Sequence, residues 1–342
     1  MATASTLASM EAALPPGSSQ IPVAAPRPGR AKAFLYMLGS NRKAAIGVAL
    51  LFIFGLVAVI GPWIAPYDPA AVGPAFNLTP SWTHWLGTTQ LGEDVLSQLL
   101  AGARPTITYA VLAGLIATAI SCLFGLTAGY ARGVVDDFLS LIINVVLILP
   151  TLPVLIVVAA YANQLNVRGS LIQTIVIAAT AWPWGARVLR SQMLSLRQKD
   201  FVLASRVAGE SAFRTVWDEI LPNMTSLVVA NFIGATLYAL LFGVALQYLG
   251  LTDESQVSWG TMLYWAENGD GLILGMWTWF IPVGLCIALF GTGLVFTNYA
   301  IDELTNPRLR TQKVRRRAKP TKSSWNNVSA ILHEPSDDAT PA

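Results

Sequence analysis

The residues able to do chemistry in this chain fall into two sets. The first is a polar island, Asp200 to Glu210 followed by Ile220-Leu221-Pro222-Asn223, lying between long apolar runs. Its residue types suit noncovalent grip rather than covalent catalysis. Asp200 is expected to cap a helix through Ala208, and Gly209 to supply a turn. Phe213, Val216, Trp217 and Ile220 should then form an apolar stripe at i, i+3, i+4, i+7. Pro222 is expected to end this second helix before the next apolar run. On pattern alone, an amphipathic hairpin held on lipid headgroups by Arg197, Lys199, Arg206 and Arg214 is an equal alternative.

The second set lies inside the apolar runs: Asn144, Gln173, Asn231, Gln247 and Asn298, with Tyr161, Tyr238 and Tyr248. Amides in membrane helices mostly bond between helices, so only some can face a pathway. Asn231 and Tyr238 are the first candidates, with Asn144 and Gln247 behind them. What is missing also restricts function. The runs hold no Asp, Glu, Lys, Arg or His, the groups an ion-coupled carrier uses to bind and release its ion. There is no Gly-rich phosphate loop ending in Lys-Ser/Thr, so ATP is not expected to bind this chain in that manner. Cys122 and Cys286 sit within runs as small packing residues, and neither a disulfide framework nor a metal site is expected.

The elements that must position these groups are membrane helices. Of 342 residues, 54% are hydrophobic and only 12% charged, and the mean hydropathy is +0.54. A helix needs about 20 apolar residues to cross the hydrocarbon core. Six runs are candidates: 44–64, 106–130, 138–162, 171–186, 224–251 and 272–300, the fourth being the shortest. Pro150, Pro153, Pro183 and Pro282 should kink their helices. With both termini in the cytoplasm, twenty of the 22 Lys and Arg stay inside, leaving only Arg104 and Arg168 outside. The positive-inside rule favours that orientation.

The expected organisation follows from these runs. Residues 1–30 form a disordered arm; 31–66 hold an interfacial helix and the first span; 67–105 are extracytoplasmic. Residues 106–300 form a five-helix core with a cytoplasmic loop at 187–223, and 301–342 a basic tail. Anionic lipid is the expected partner of that tail, with no fold to support nucleic-acid binding.

Leu203-Ala204-Ser205, Gly209 and Ile220-Leu221-Pro222-Asn223 resemble the "EAA" loop of bacterial ABC importer permeases. Ala204, Gly209, Ile220, Leu221, Pro222 and Asn223 match that pattern; Leu203 stands where the family has its Glu, and Ser205 where it has the second Ala. Glu210 is the neighbouring carboxylate that could serve instead. His84-Trp85-Leu86-Gly87-Thr88 and Gly92-Glu93-Asp94-Val95-Leu96-Ser97 resemble the signature of the second permease in dipeptide and oligopeptide importers, with Thr89, Glu93 and Gln98 departing from it. Ser258-Trp259-Gly260-Thr261-Met262-Leu263 and Asn306-Pro307-Arg308-Leu309 resemble further blocks of the same permeases.

The resemblance implies an all-α type I importer permease with six transmembrane helices, multi-pass in the bacterial inner membrane. It implies a homologous second permease, two ABC ATPase subunits that bind ATP and Mg, and an extracytoplasmic substrate-binding protein. This chain would bind no cofactor itself. The ATPase-coupling residues would be Ala204, Ser205, Gly209, Glu210, Phe213, Trp217, Ile220, Leu221 and Pro222. Peptide is the first expectation for cargo, with oligosaccharide or nickel as alternatives. An ion-coupled secondary transporter and a non-transporting scaffold are the remote ones.

Overall fold

A computed structural model describes residues 41–165 and 169–305. The arm at 1–30, the interfacial helix expected just after it, Arg168, the Asn306–Leu309 block and the basic tail lie outside the described residues. Among the described residues the secondary structure is helical, with a single isolated bridge between Thr88 and Asp94.

Helix α1 (Arg42–Ile64) is followed by an irregular segment and then α2 (Val95–Tyr130). A broken pair comes next, α3 (Val134–Ile148) and α4 (Thr151–Gln164), then α5 (Ser170–Leu196) and the short α6 (Asp200–Val207). The chain then enters α7 (Ala212–Tyr248), crosses a loop to α8 (Trp259–Asn268), and ends in α9 (Ile281–Thr305). Among the described residues four helices are long and apolar enough to cross a membrane, or five if α3 and α4 make one span. Helix α5 has the length, with 27 residues, but Gln173, Thr174 and Arg187 dilute its apolar character.

At the centre α2 packs along α5 and α7. Its buried face carries Gly102, Ala103, Ala110, Ala113, Gly114, Ala117, Gly125 and Ala128. Lipid gives helices little hydrophobic reason to associate, so small residues that admit close backbone contact supply the packing. A side chain at Gly125 would collide with α5 at Ala186, and one at Gly114 with α7 at Thr236. Beside these three helices, Phe54 of α1 meets Trp259 of α8 and Phe290 of α9 edge-on, each at 5.7 Å between ring centres.

Several expectations need correction. The third run is not one helix: α3 and α4 meet at 88°. Leu149, preceding Pro150, is extended with ψ 131°, because the proline ring disfavours helical backbone in the residue before it. Of the other prolines expected to kink, Pro153 and Pro282 fall in first turns, where no N–H is needed; Pro183 lies inside α5. Helix α2 begins at Val95, well before the second run. The sixth run loses its start to turns and a 3₁₀ segment, Trp277–Trp279, before α9 begins.

Pro222 does not end a helix either. The helix of Ala212 continues to Tyr248, with Thr215–Ile220 wound as a π-helix just ahead of Pro222. Proline cannot donate to the carbonyl four residues back, and its ring crowds that carbonyl. The wider π turn absorbs the mismatch: the Leu221 N–H reaches the Val216 carbonyl, and the Asn223 side-chain amide donates to the Glu219 carbonyl at 2.7 Å.

Candidate functional site

The polar island folds as a hairpin at one end of the helix bundle. Its first helix is α6, capped by Lys199 through backbone geometry alone, with Asp200 in the first turn rather than at the cap. Expecting a side-chain cap from Asp200 was one position late. The C-terminus closes as a Schellman turn, in which the Gly209 N–H donates to the Arg206 carbonyl at 3.1 Å and the Glu210 N–H to Ser205 at 3.2 Å. Gly209 has φ +82°, a left-handed conformation that costs any residue with a Cβ about 1–2 kcal/mol.

Side chains then lock the two arms together. Ser205 Oγ donates to Glu210 at 2.6 Å and lies 3.2 Å from Thr215 Oγ1. Arg214 lies 3.8 Å from Glu210 and 3.4 Å from Asp218. The Glu210 carboxylate is therefore engaged within the hairpin. Ser205, which replaces the small apolar residue of the resembling pattern, supplies the hydroxyl that holds it.

The hairpin is rooted in a core of its own. Val202 and Ile220 pack with Leu126 of α2, Leu189 and Met193 of α5 and Met224 of α7. Arg197 donates to the carbonyls of Gly129 and Ala131, both at 2.8 Å, and so satisfies the exposed end of α2. Arg206 stacks over the Tyr130 ring at 4.8 Å, and Arg190 grips Asp136 of α3 through two hydrogen bonds of 2.7 and 3.0 Å. The sequence offered Arg197 and Arg206 to headgroups; here they hold backbone and ring. Nothing in their spacing signalled those partners, which lie more than sixty residues away.

The expected apolar stripe divides. Ile220 is fully buried and Val216 half-buried, whereas Phe213 is 76% and Trp217 59% exposed. The wider π turn rotates the stripe, sending one pair inward and leaving the aromatic pair outside, stacked 6.0 Å apart. Phe201, Leu203, Ala204 and Val207 are also exposed. Leu221 is half-buried and Pro222 exposed. The arrangement is a rigid, rooted hairpin with an uncovered apolar surface.

The intramembrane polar residues divide as well. Gln247 donates to Gln173 at 3.1 Å and accepts from Ser258 Oγ at 3.0 Å. Gln173 donates onward to the Gly243 carbonyl at 3.1 Å. This network is buried and serves helix contacts. Asn231 and Tyr238 line a cavity of about 490 Å³ together with Asn298 and Thr180; Asn144 is exposed on α3 and outside it.

The opposite end of the bundle is tied by specific polar contacts. Asp94 caps α2 by accepting from the Ser97 N–H at 2.8 Å and its hydroxyl at 2.7 Å, and contacts His84 Nδ1 at 2.9 Å. The Trp279 indole donates to the Thr88 carbonyl at 3.1 Å. Thr89, one of the departures, donates to Glu93, another, at 2.9 Å. Trp82 and Trp85 are 97% and 68% exposed.

Comparison with known proteins places the chain by its sequence. The family model described as binding-protein-dependent transport system inner membrane component matches residues 121–311. The model for the N-terminal TM domain of oligopeptide transport permease C matches residues 31–80. The chain is similar to the dipeptide transport system permease protein DppC of Bacillus subtilis strain 168, with 31% identity over 279 residues, covering 80% of this chain and 84% of that one. The oligopeptide transport system permease protein OppC of the same organism is 29% identical, with 79% and 87% covered. The dipeptide transport system permease protein DppC of Haemophilus influenzae is 31% identical, with 81% and 94% covered.

Proposed function

Because the chain belongs to the binding-protein-dependent transport system inner membrane components, we propose that it forms half of the pore of an ATP-driven peptide importer in the bacterial inner membrane. In this reading six helices span the bilayer: α1, α2, the broken α3–α4 pair, α5, α7 and α9. Both termini face the cytoplasm, as does the hairpin. A second permease completes the pore, two ATPase subunits bind ATP and Mg beneath it, and a binding protein delivers di- or oligopeptides from outside. The peptide assignment is supported by the names of the relatives.

The observation that carries the reading is the rooted hairpin with its open aromatic pair. A surface of this kind is built to be covered by a protein partner. Its root touches α2, α5 and α7 through Leu126, Leu189, Met193 and Met224. A pull on Phe213 and Trp217 would therefore move those three helices as one body. Closure of the ATPase pair would apply that pull, turning the pore outward; hydrolysis would release it. The chain itself makes and breaks no covalent bond.

The test is ATP-driven uptake by the complete importer in proteoliposomes, with matched panels of short peptides and oligosaccharides. Uptake of peptides, dependent on ATP and blocked by vanadate, is expected. Uptake of oligosaccharides alone would overturn the cargo, and uptake driven by an ion gradient without ATP would overturn the mechanism.

A further inference from the structure

The break between α3 and α4 sits within an apolar run, where a bent backbone carries a specific requirement. The last carbonyls of α3 and the first amides of α4 have no partner within their own helices. Irregular backbone at membrane depth is tolerated only where it is buried in protein or lines a water-filled cavity. The described residues leave the break open: Ile148 is 81% exposed and Leu149 46%. On its inner side the residues flanking the break, Val146, Leu147 and Thr151, line the 490 Å³ cavity that also holds Thr180, Asn231, Tyr238 and Asn298.

The chemistry of that cavity is uniform in one respect, for among the described residues no Asp, Glu, Lys, Arg or His lines it. Its polar groups are neutral and include both donors and acceptors. The Tyr238 hydroxyl donates to Thr180 at 3.2 Å. Asn231 reaches Thr118 with a long 3.4 Å contact, and its side chain lies against Gly185, where even a methyl group has no room. Gly185 thus positions the Asn231 amide at the meeting of α2, α5 and α7. Asn298 Oδ1 is buried without a hydrogen-bond partner among the described residues. Neutral groups that both give and accept hydrogen bonds match the peptide bond, whereas a fixed charge placed here would lose its water and find no counter-charge.

We propose that this cavity is a site for the backbone of a peptide in transit, with Asn231, Asn298 and Tyr238 as its hydrogen-bonding contacts, and that it discriminates against a charged side chain at the residue it holds. The inference rests on the reading that the cargo is peptide. It adds a selectivity step in the pore, after the binding protein has made its choice.

The experiment uses the complete importer in proteoliposomes and three tripeptides of equal length whose central residue is Ala, Lys or Glu. Wild type and the Asn231→Asp variant are compared. Capture by the binding protein is common to both, so it cancels from the comparison of uptake ratios. Asn231→Asp should raise the Lys-to-Ala ratio about tenfold and lower the Glu-to-Ala ratio, as one added carboxylate in a poorly screened site requires. Asn231→Ala should lower all three uptakes together. Asn298→Asp, on a different helix, should shift the ratios in the same direction and stands in if the first variant fails to assemble. Unchanged ratios in an assembled, ATP-consuming variant would overturn this inference alone. Failure of wild type to take up any peptide would instead overturn the peptide reading beneath it.

Discussion

The two ends of the bundle use similar residues toward opposite purposes. At the Asp94 end, polar side chains tie helix ends together: Asp94 caps α2, Ser258 and Thr261 cap α8 reciprocally, and two indole N–H groups find backbone carbonyls. At the hairpin end, the polar contacts among Ser205, Glu210 and Arg214 fix a shape whose aromatic surface stays open. One end spends its hydrogen bonds on holding helices in place; the other spends them on presenting a surface. The contrast teaches that stability and coupling should respond to different mutations.

The largest stability loss is expected at Asp94. Asp94→Ala removes a helix cap and leaves the Ser97 N–H, the Ser97 hydroxyl and His84 without their acceptor, for about 2–3 kcal/mol. Thermal unfolding in mild detergent should show it, with ATPase association unchanged in the folded fraction. Ser258→Ala is expected to follow at about 1–3 kcal/mol, since it strips the α8 capping box and leaves the buried Gln247 oxygen unpaired. The same melting assay reads it. If either variant releases the ATPase while the bundle stays folded, the separation between the two ends breaks down.

Hairpin mutations should invert that pattern. Gly209→Ala places a Cβ at φ +82°, although nothing lies within 4 Å to collide with it. The cost is backbone strain of about 1–2 kcal/mol, confined to the hairpin. Protease accessibility of the hairpin should rise while the melting temperature of the bundle hardly moves. Arg214→Ala is the smallest effect, within about 0.5 kcal/mol, because its ion pairs are exposed and screened. A larger loss on melting would mean that the Glu210–Arg214–Asp218 ladder carries more of the hairpin than its exposure implies.

Much of this architecture was legible in the residues. The apolar runs located the long helices, and Gly209 announced its turn because the sequence around it offers a helix end followed by a polar restart. Ser258 with Thr261 three residues on is a capping signal that sequence could have used and did not. Other features depend on neighbours far along the chain. The π turn before Pro222 exists because a helix that local rules would stop is held continuous by the packing of Ile220 and Met224. The division of Phe213 and Trp217 from Val216 and Ile220 follows from that turn, so a stripe drawn on α-helical geometry had to fail there. Pro150 and Pro183 show the same limit. Both are prolines within apolar runs, yet one breaks its helix and the other lies within a continuous one closely packed on α2.

The central claim is that the aromatic pair of the hairpin, and not the exposed tryptophans at the other end, is where the ATPase binds. The direct measurement is co-purification of the ATPase with a Phe213→Ser, Trp217→Ser double variant and, in parallel, with Trp82→Ser, Trp85→Ser. Both remove exposed aromatic surface from the same bundle. Loss of the ATPase from the hairpin variant alone, with the bundle folded, is the predicted result; full retention by that variant would contradict the account.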